Sequence, residues 1–283
     1  MKNIVLFFII TISLYGCSSV PITGRQQLSL VSDSEVLALS LQEYDSYIKS
    51  AKKSTDKTNS ALVEKVGRKI ADAVEAYFKA TGQETLLSSY QWEFNLIEDS
   101  QVNAFCMPGG KIVVYTGILP YTQGETGLAV VLGHEVGHAI AKHANERMSQ
   151  QVALEYGNAA VGAALGKASS TVQSIGSIVY GLGTQVGVTL PFNRKQELEA
   201  DHLGLILMSI AGYDPNTAVP FWERMSQQSG SKLEFLSTHP SDNTRITEIR
   251  KELPEALEYY NTIWGKTVPA SSSSSNSNGN WHF

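Results

Sequence analysis

The chain has very few cysteines and relatively few charged residues for its length. Its 283 residues include only two cysteines, Cys17 and Cys106, and charged residues make up 17 % of the sequence. If Cys17 is covalently modified, Cys106 has no partner, and a disulfide framework is then excluded. We interpret Cys106, which lies in an apolar stretch, as a small buried apolar side chain.

Runs of basic residues are also missing. The formal net charge is -5, and no stripe of lysine and arginine could follow a phosphate backbone, which argues against nucleic acid as a partner. A hydrophobic content of 42 % is that of a globular protein. A chain of this length can form one large domain or two small ones.

The N-terminus carries a short hydrophobic run. Lys2 precedes an apolar stretch from Ile4 to Leu14, which is too short to span a bilayer comfortably and predicts a signal peptide over residues 1–16. The sequence Leu14-Tyr15-Gly16-Cys17 resembles the bacterial lipobox, in which cleavage exposes a cysteine that becomes lipidated. We therefore expect a lipid on Cys17, an extended tether over 17–31, and a location in the bacterial cell envelope on the periplasm-facing outer membrane. An ordinary secretory signal or an uncleaved anchor stays open.

The pattern of residues 32–265 predicts one α+β domain that is mainly helical. A capping box at Ser32 and Glu35 begins the first helix, and a second at Thr122 and Glu125 begins a later one. Between them, alternating apolar residues predict three strands of a small antiparallel sheet, around residues 92–96, 103–107 and 112–115. Residues 266–283 are rich in serine and asparagine, and we expect them to be disordered.

Small residues dominate residues 156–190. Glycine, alanine, serine and valine recur there, but Lys167, Gln173 and Gln185 interrupt any membrane-spanning pattern. A mobile or helical flap is the interpretation we favour for this segment.

The sequence His134-Glu135-Val136-Gly137-His138 has the pattern HExxH. Residues four apart lie on one face of a helix, so both imidazoles can reach the same metal ion. Two neutral nitrogen ligands suit Zn²⁺, and Glu135 beside them is placed to act as a general base. The motif therefore predicts a zinc hydrolase, and most simply a peptidase, with one Zn²⁺ per chain.

A catalytic zinc site requires a third protein ligand. Metzincins place a histidine ten positions after the first, but Ala144 stands there, so that class is excluded. His143 is five residues beyond His138, about 140° around a continuous helix, and we expect it to point away from the metal.

The sequence Glu197-Leu198-Glu199-Ala200-Asp201 offers the missing ligand. On a helix, Glu197 and Asp201 share one face, so Glu197 can bind the metal while Asp201 accepts a hydrogen bond from a metal-bound histidine. Glu199 falls on the opposite side, where we expect it to be solvated.

These elements together resemble a known family. NAFCMPGG, HEVGHAIAKH, NRKQELEAD and STHPSDNTRI occur in the order typical of the gluzincin peptidases of metallopeptidase family forty-eight, which include the CAAX prenyl proteases, the heat-shock membrane protease and the Oma type. The resemblance covers roughly residues 20–255 and is closest to the periplasmic branch. It implies His134, His138 and Glu197 as zinc ligands, Glu135 as the catalytic base and Asp201 as a supporting residue.

Two further sites follow from this interpretation, each with alternatives. Asn103, Ala104 and Phe105 would form an edge strand that pairs with an extended substrate, or else a buried core strand. His239 could stabilise the oxyanion, occupy the fourth zinc position and silence the enzyme, or only shape its loop. Arg245 is a second candidate for stabilising the oxyanion. Arg194 and Arg245 could instead have structural roles and pair with carboxylates.

The predicted function is therefore a zinc metalloendopeptidase acting on unfolded or extended proteins in envelope quality control. It would be bound to the membrane through Cys17. A non-proteolytic binding or assembly module, or another zinc hydrolase such as an amidase, stays open.

Overall fold

A computed structural model describes residues 17–164, 193–227, 235, 239 and 243–265, without the side chains of 157–164 and 243. The predicted signal peptide, the C-terminal tail and most of the small-residue segment lie outside these residues. The α+β class is confirmed, because long helices occur together with a three-stranded sheet and a two-stranded hairpin. The helices are α1 (Asp33–Ser50), α2 (Lys57–Ala80), α3 (Leu119–Thr122), α4 (Glu125–Ile140), α5 (His143–Ala164), α6 (Arg194–Ile210), α7 (Ala218–Ser226) and α8 (Asn243–Trp264).

The first strands are in the segment predicted to be an extended tether. Strands β1 (Cys17–Ser19) and β2 (Gln26–Leu28) instead pair antiparallel, with Cys17 opposite Leu28. Gly24 closes the hairpin with φ of 67°, a left-handed conformation that suits glycine. The predicted extended tether is wrong for this segment, because it forms a hairpin that packs on the domain through the buried Val20 and Gln27. The lipidation of Cys17 stays a prediction.

The main sheet contains β3 (Glu93–Ile97), β4 (Ala104–Met107) and β5 (Lys111–Tyr115), in the order β3-β5-β4. Strands β4 and β5 form the expected antiparallel hairpin, but β3 runs parallel to β5, so the all-antiparallel arrangement is corrected. Strand β3 runs parallel to β5 because the chain passes from one edge strand, β3, to the other, β4. It then turns back at Gly109 and Gly110 to form β5 between them. Strand β4 lies at the sheet edge, as predicted.

Of the two capping boxes predicted to begin helices, the structure contains one. The capping box of Ser32 and Glu35 is present at α1. At α4 the predicted box is absent, because Thr122 ends the short α3 and donates its hydroxyl to Leu119. Gly124, with φ of 112°, precedes the first residue of α4 instead.

Helices α4 and α6 pack against each other at very short range. A Cβ atom on Gly204 would lie 2.8 Å from the backbone nitrogen of His134 and 2.9 Å from the carbonyl carbon of Gly133. A Cβ atom on Gly137 would lie 2.7 Å from the carbonyl oxygen of Ala200. Only glycine allows these backbones to approach so closely, and the approach brings the two predicted metal-binding motifs face to face.

Gly204→Ala tests this contact. Alanine in a helix normally stabilises a protein by about 1 kcal/mol relative to glycine. Here the added methyl group meets backbone atoms that cannot rotate away, so we expect the free energy of unfolding to fall by about 1–3 kcal/mol. Urea denaturation followed by circular dichroism measures the change. A variant as stable as the wild type would contradict the close packing.

Candidate metal centre

The side chains of the two motifs converge in the interior. His134, Glu135 and His138 on α4 and Glu197 on α6 are each no more than 3 % exposed. His239, from the segment before α8, joins them and is equally buried. One ligand atom from each of His134, His138, Glu197 and His239 lies within 4.8 Å of all the others.

The distances within this cluster match the shape of a zinc site. The Nε2 atom of His134 lies 3.0 Å from Nε2 of His138 and 3.2 Å from Nδ1 of His239. The Oε1 atom of Glu197 lies 3.3 Å from Nε2 of His138 and 3.0 Å from Nδ1 of His239. Ligand atoms about 2.0–2.1 Å from a tetrahedral zinc are about 3.3–3.4 Å apart. The four side chains therefore fit one zinc ion.

Glu135 stands beside these four residues rather than among them. Its Oε1 atom makes no hydrogen bond among the described residues, and it lies 3.5 Å from Nε2 of His239. Burial raises the pKa of the Glu135 carboxyl to about 7. A buried carboxyl that titrates near neutrality is suited to exchanging a proton with a reacting group.

The two motif histidines are held as neutral ligands. Burial, with a smaller contribution from the charge of Arg245, lowers the pKa of His134 to about 4. Burial also lowers the pKa of His138 well below its usual value. Each ring therefore keeps a lone pair at neutral pH, which metal binding requires.

Asp201 and Arg245 support one side of the cluster. The Oδ1 atom of Asp201 lies 2.9 Å from Nδ1 of His134, the contact expected for a carboxylate that orients a ligand. Arg245 donates to both oxygens of Asp201, at 2.5 and 2.7 Å, and its Nη1 lies 2.9 Å from Glu197. The guanidinium stacks 3.6 Å from the ring centroid of Trp222. Arg245 thus pairs with both carboxylates, one of the alternatives that the sequence left open.

His143 was predicted to point away from the metal; it is not one of the four clustered residues, but it packs behind one of them. His143 is fully buried, and its Nδ1 atom lies 2.7 Å from Nδ1 of His138. The helical angle did not apply because α4 ends at Ile140, and Lys142 takes a left-handed φ of 56° before α5 begins. The break turns His143 back toward His138.

Glu199 was expected in solvent, but it is only 7 % exposed. Its Oε2 atom lies 2.9 Å from Nε2 of His143 and accepts a hydrogen bond from Arg25 at 2.6 Å. The N-terminal hairpin covers this side of α6, a contact that no periodicity in α6 could reveal. Burial opposes ionisation, but hydrogen bonds from His143, Thr23 and Arg25 lower the pKa of Glu199 to about 2.

The predicted substrate strand lies near the centre, because α4 packs against β4. Ala104 and Phe105 are in β4, and Asn103 precedes it. The carbonyl of Asn103 accepts from Tyr115 of β5. Since carbonyls alternate along an extended chain, the carbonyl of Val102 faces the open side, where it accepts the backbone N–H of Phe235 at 3.0 Å.

An HExxH helix packed on a second helix that provides a glutamate ligand and a supporting aspartate defines a gluzincin-type zinc metallopeptidase domain. The chain belongs to the family described as Peptidase family M48, which it matches over residues 63–253. The family resemblance drawn from the four motifs is thereby confirmed.

Known relatives come from both mitochondria and bacteria. The chain is 43 % identical over 173 residues to the mitochondrial metalloendopeptidase OMA1 of Schizosaccharomyces pombe, covering 60 % of this chain and 49 % of the relative. It is 28 % identical over 255 residues to the human mitochondrial metalloendopeptidase OMA1, covering 84 % and 46 %. It is 30 % identical over 165 residues to the beta-barrel assembly-enhancing protease of Escherichia coli, covering 56 % and 34 %. The chain thus spans about half or less of each of these relatives.

None of the helices in residues 17–164, 193–227 and 243–265 is long and apolar enough to cross a bilayer.

Arg245→Met tests how far the centre depends on its buried cation. The change leaves the carboxylates of Asp201 and Glu197 buried without their arginine, so we expect the free energy of unfolding to fall by about 3–5 kcal/mol. Arg250→Met on the same helix is the matched control. It removes only an exposed ion pair with Glu223 and should cost less than about 1 kcal/mol. Equal losses in urea denaturation would rule out the assigned role of Arg245.

Proposed function

We propose that this chain is a zinc-dependent metalloendopeptidase that hydrolyses peptide bonds with Glu135 as general base. The observation that carries the proposal is the cluster of four donor atoms beside the buried Glu135, in a chain of family M48. His134, His138 and Glu197 are the zinc ligands in this proposal, and Asp201 orients His134. No described feature favours the alternative of a non-proteolytic module, since every residue type that the reaction needs is present.

The protein's contribution to the reaction comes mainly from Glu135. A zinc ion held by His134, His138 and Glu197 would lower the pKa of a water toward about 7 and would polarise the substrate carbonyl. The Glu135 carboxylate accepts the proton of the attacking water and returns it to the leaving amine. Burial raises the pKa of this carboxyl, which favours its taking up the proton of the water. Arg245 and Asp201 meanwhile keep His134 in one orientation.

The substrate is proposed to be an extended segment of an unfolded protein that pairs with the open side of β4. Asn103, Ala104 and Phe105 would bind the substrate backbone, and so provide affinity with little selectivity for side chains. The hydrogen bond from Phe235 to Val102 supports this proposal, since another stretch of main chain already pairs at the open side there. Because α4 packs against β4, a peptide bound along this strand would lie near the metal cluster.

His239 is proposed to hold the centre in a closed state. Its Nδ1 atom is one of the four that match a tetrahedral site, and a catalytic zinc needs that fourth position for water and substrate. The Nδ1 atom of His239 lies 3.0 Å from Oε1 of Glu197, and its Nε2 atom lies 3.5 Å from Oε1 of Glu135, so both carboxylates hold the ring in the cluster. A substrate carbonyl can enter only after His239 has left.

The proposed location is the bacterial cell envelope, with the chain bound to the periplasm-facing outer membrane through a lipid on Cys17. The lipobox-like sequence supports this, and so does similarity to the beta-barrel assembly-enhancing protease of Escherichia coli. We propose quality control of envelope proteins as the biological role.

Glu135→Gln tests the reaction. The amide that replaces the carboxylate cannot accept a proton, so we expect cleavage of casein to fall by about 10²–10⁴-fold while the zinc content stays that of the wild type.

Glu197→Ala should instead lose zinc in elemental analysis. Glu125→Gln, on the same helix as Glu135, is the control and should cleave normally, because Glu125 pairs with Lys65 at the start of α4. Equal cleavage by wild type and Glu135→Gln would end the peptidase proposal.

His239→Ala separates the two active-site roles that the sequence left open for His239. If His239 closes the centre, its removal opens the fourth position, and we expect casein cleavage to rise with zinc still bound. A fall in the turnover number with unchanged KM would assign His239 to oxyanion stabilisation instead.

A further inference from the structure

The second motif histidine has a support of its own on the side remote from the cluster. The Nε2 atom of His138 faces the other ligand atoms, and its Nδ1 atom lies 2.7 Å from Nδ1 of His143. A ring that binds metal through Nε2 carries its proton on Nδ1. His138 therefore donates this bond, and His143 accepts it with the lone pair of Nδ1.

The tautomer of His143 follows from that bond. With a lone pair on Nδ1, the neutral ring carries its proton on Nε2, which lies 2.9 Å from Oε2 of Glu199. The N–H at Nε2 of His143 therefore donates a hydrogen bond to the Glu199 carboxylate. Glu199 thus sets the tautomer and orientation of His143, and through it those of His138. All three side chains are buried.

Glu199 is itself held by the N-terminal hairpin. The Thr23 hydroxyl donates to Oε1 at 2.5 Å, and Nε of Arg25 donates to Oε2 at 2.6 Å. The other two nitrogens of Arg25 form a bidentate pair with Glu146 on α5, at 2.9 and 2.8 Å. The Arg25 side chain is only 13 % exposed, so the hairpin and both helices hold it in a fixed position.

We propose that Glu199 is a positioning residue for the metal ligand His138, acting through His143 and held in place by Thr23 and Arg25. The inference rests on the proposed zinc ligation by His138. Each motif histidine then has one carboxylate and one arginine behind it, Asp201 with Arg245 for His134 and Glu199 with Arg25 for His138. The hairpin that starts at Cys17 becomes part of the metal centre.

Zinc affinity of the full chain tests the proposal, measured by competition with a chromophoric chelator. Glu199→Gln keeps the shape but removes the charge that His143 binds, so we expect zinc binding to weaken by about 10-fold or more, within the range usual for orienting partners. The Co²⁺-loaded variant should also show an altered visible absorption spectrum, because the ligand field at His138 changes. Loss of fold stability alone would not move that spectrum.

Glu146→Gln is the matched control. It makes the same isosteric change on the other carboxylate bound to Arg25, outside the path from Glu199 to His138. We expect a lower melting temperature with wild-type zinc affinity and an unchanged Co²⁺ spectrum. Thr23→Val, in the hairpin, removes one hydrogen bond to Glu199 and should weaken zinc binding in the same direction; it decides the question if Glu199→Gln does not fold.

The outcomes are distinguishable. Wild-type zinc affinity and spectrum in Glu199→Gln, or in Thr23→Val where that variant decides, would overturn the inference. Equal weakening in Glu199→Gln and Glu146→Gln would also overturn it, because the network would then be only structural. A wild-type chain that bound no zinc would instead contradict the proposed function.

Discussion

The close approach of α4 and α6 is the contact on which the metal centre depends. Gly133 and Gly204 meet backbone to backbone, at a separation that no side chain would allow. This places the HExxH residues of one helix within hydrogen-bonding distance of Glu197 and Asp201 on the other. A shift of even one ångström between the helices would separate His134 from Asp201, now 2.9 Å apart, and His138 from Glu197, now 3.3 Å apart.

Burial of so many polar groups is costly unless each is paired. The protein meets this requirement with two arginines. Arg245 pairs with both Asp201 and Glu197, and Arg25 pairs with both Glu199 and Glu146. Burial itself disfavours charged forms, and for this reason it lowers the pKa of His134 to about 4 and raises the pKa of Glu135 to about 7. The carboxylates in contact with the arginines stay ionised in the same interior, because the pKa values of Asp201 and Glu199 are lowered despite burial.

Much of the fold was predictable from local pattern. Helical periodicity and the Ser32 capping box identified α1, and alternation identified the three strands. The direction of β3 and the start of α4 were not predictable in this way. Strand direction depends on how the chain crosses the sheet, and a capping signal at Thr122 cannot show that Gly124 interrupts the helix first. The hairpin at residues 17–28 is stabilised mainly by partners more than 100 residues away.

The sequence by itself determined the chemistry of this protein, because four-residue spacing on a helix places His134 with His138 and Glu197 with Asp201 whatever surrounds them. It could not determine the environment of His143, Glu199 and His239. Their positions depend on a helix break at Lys142, on the hairpin that covers α6, and on the segment that brings His239 into the cluster. Each is a contact between distant parts of the chain, and only tertiary packing decides which of those parts meet.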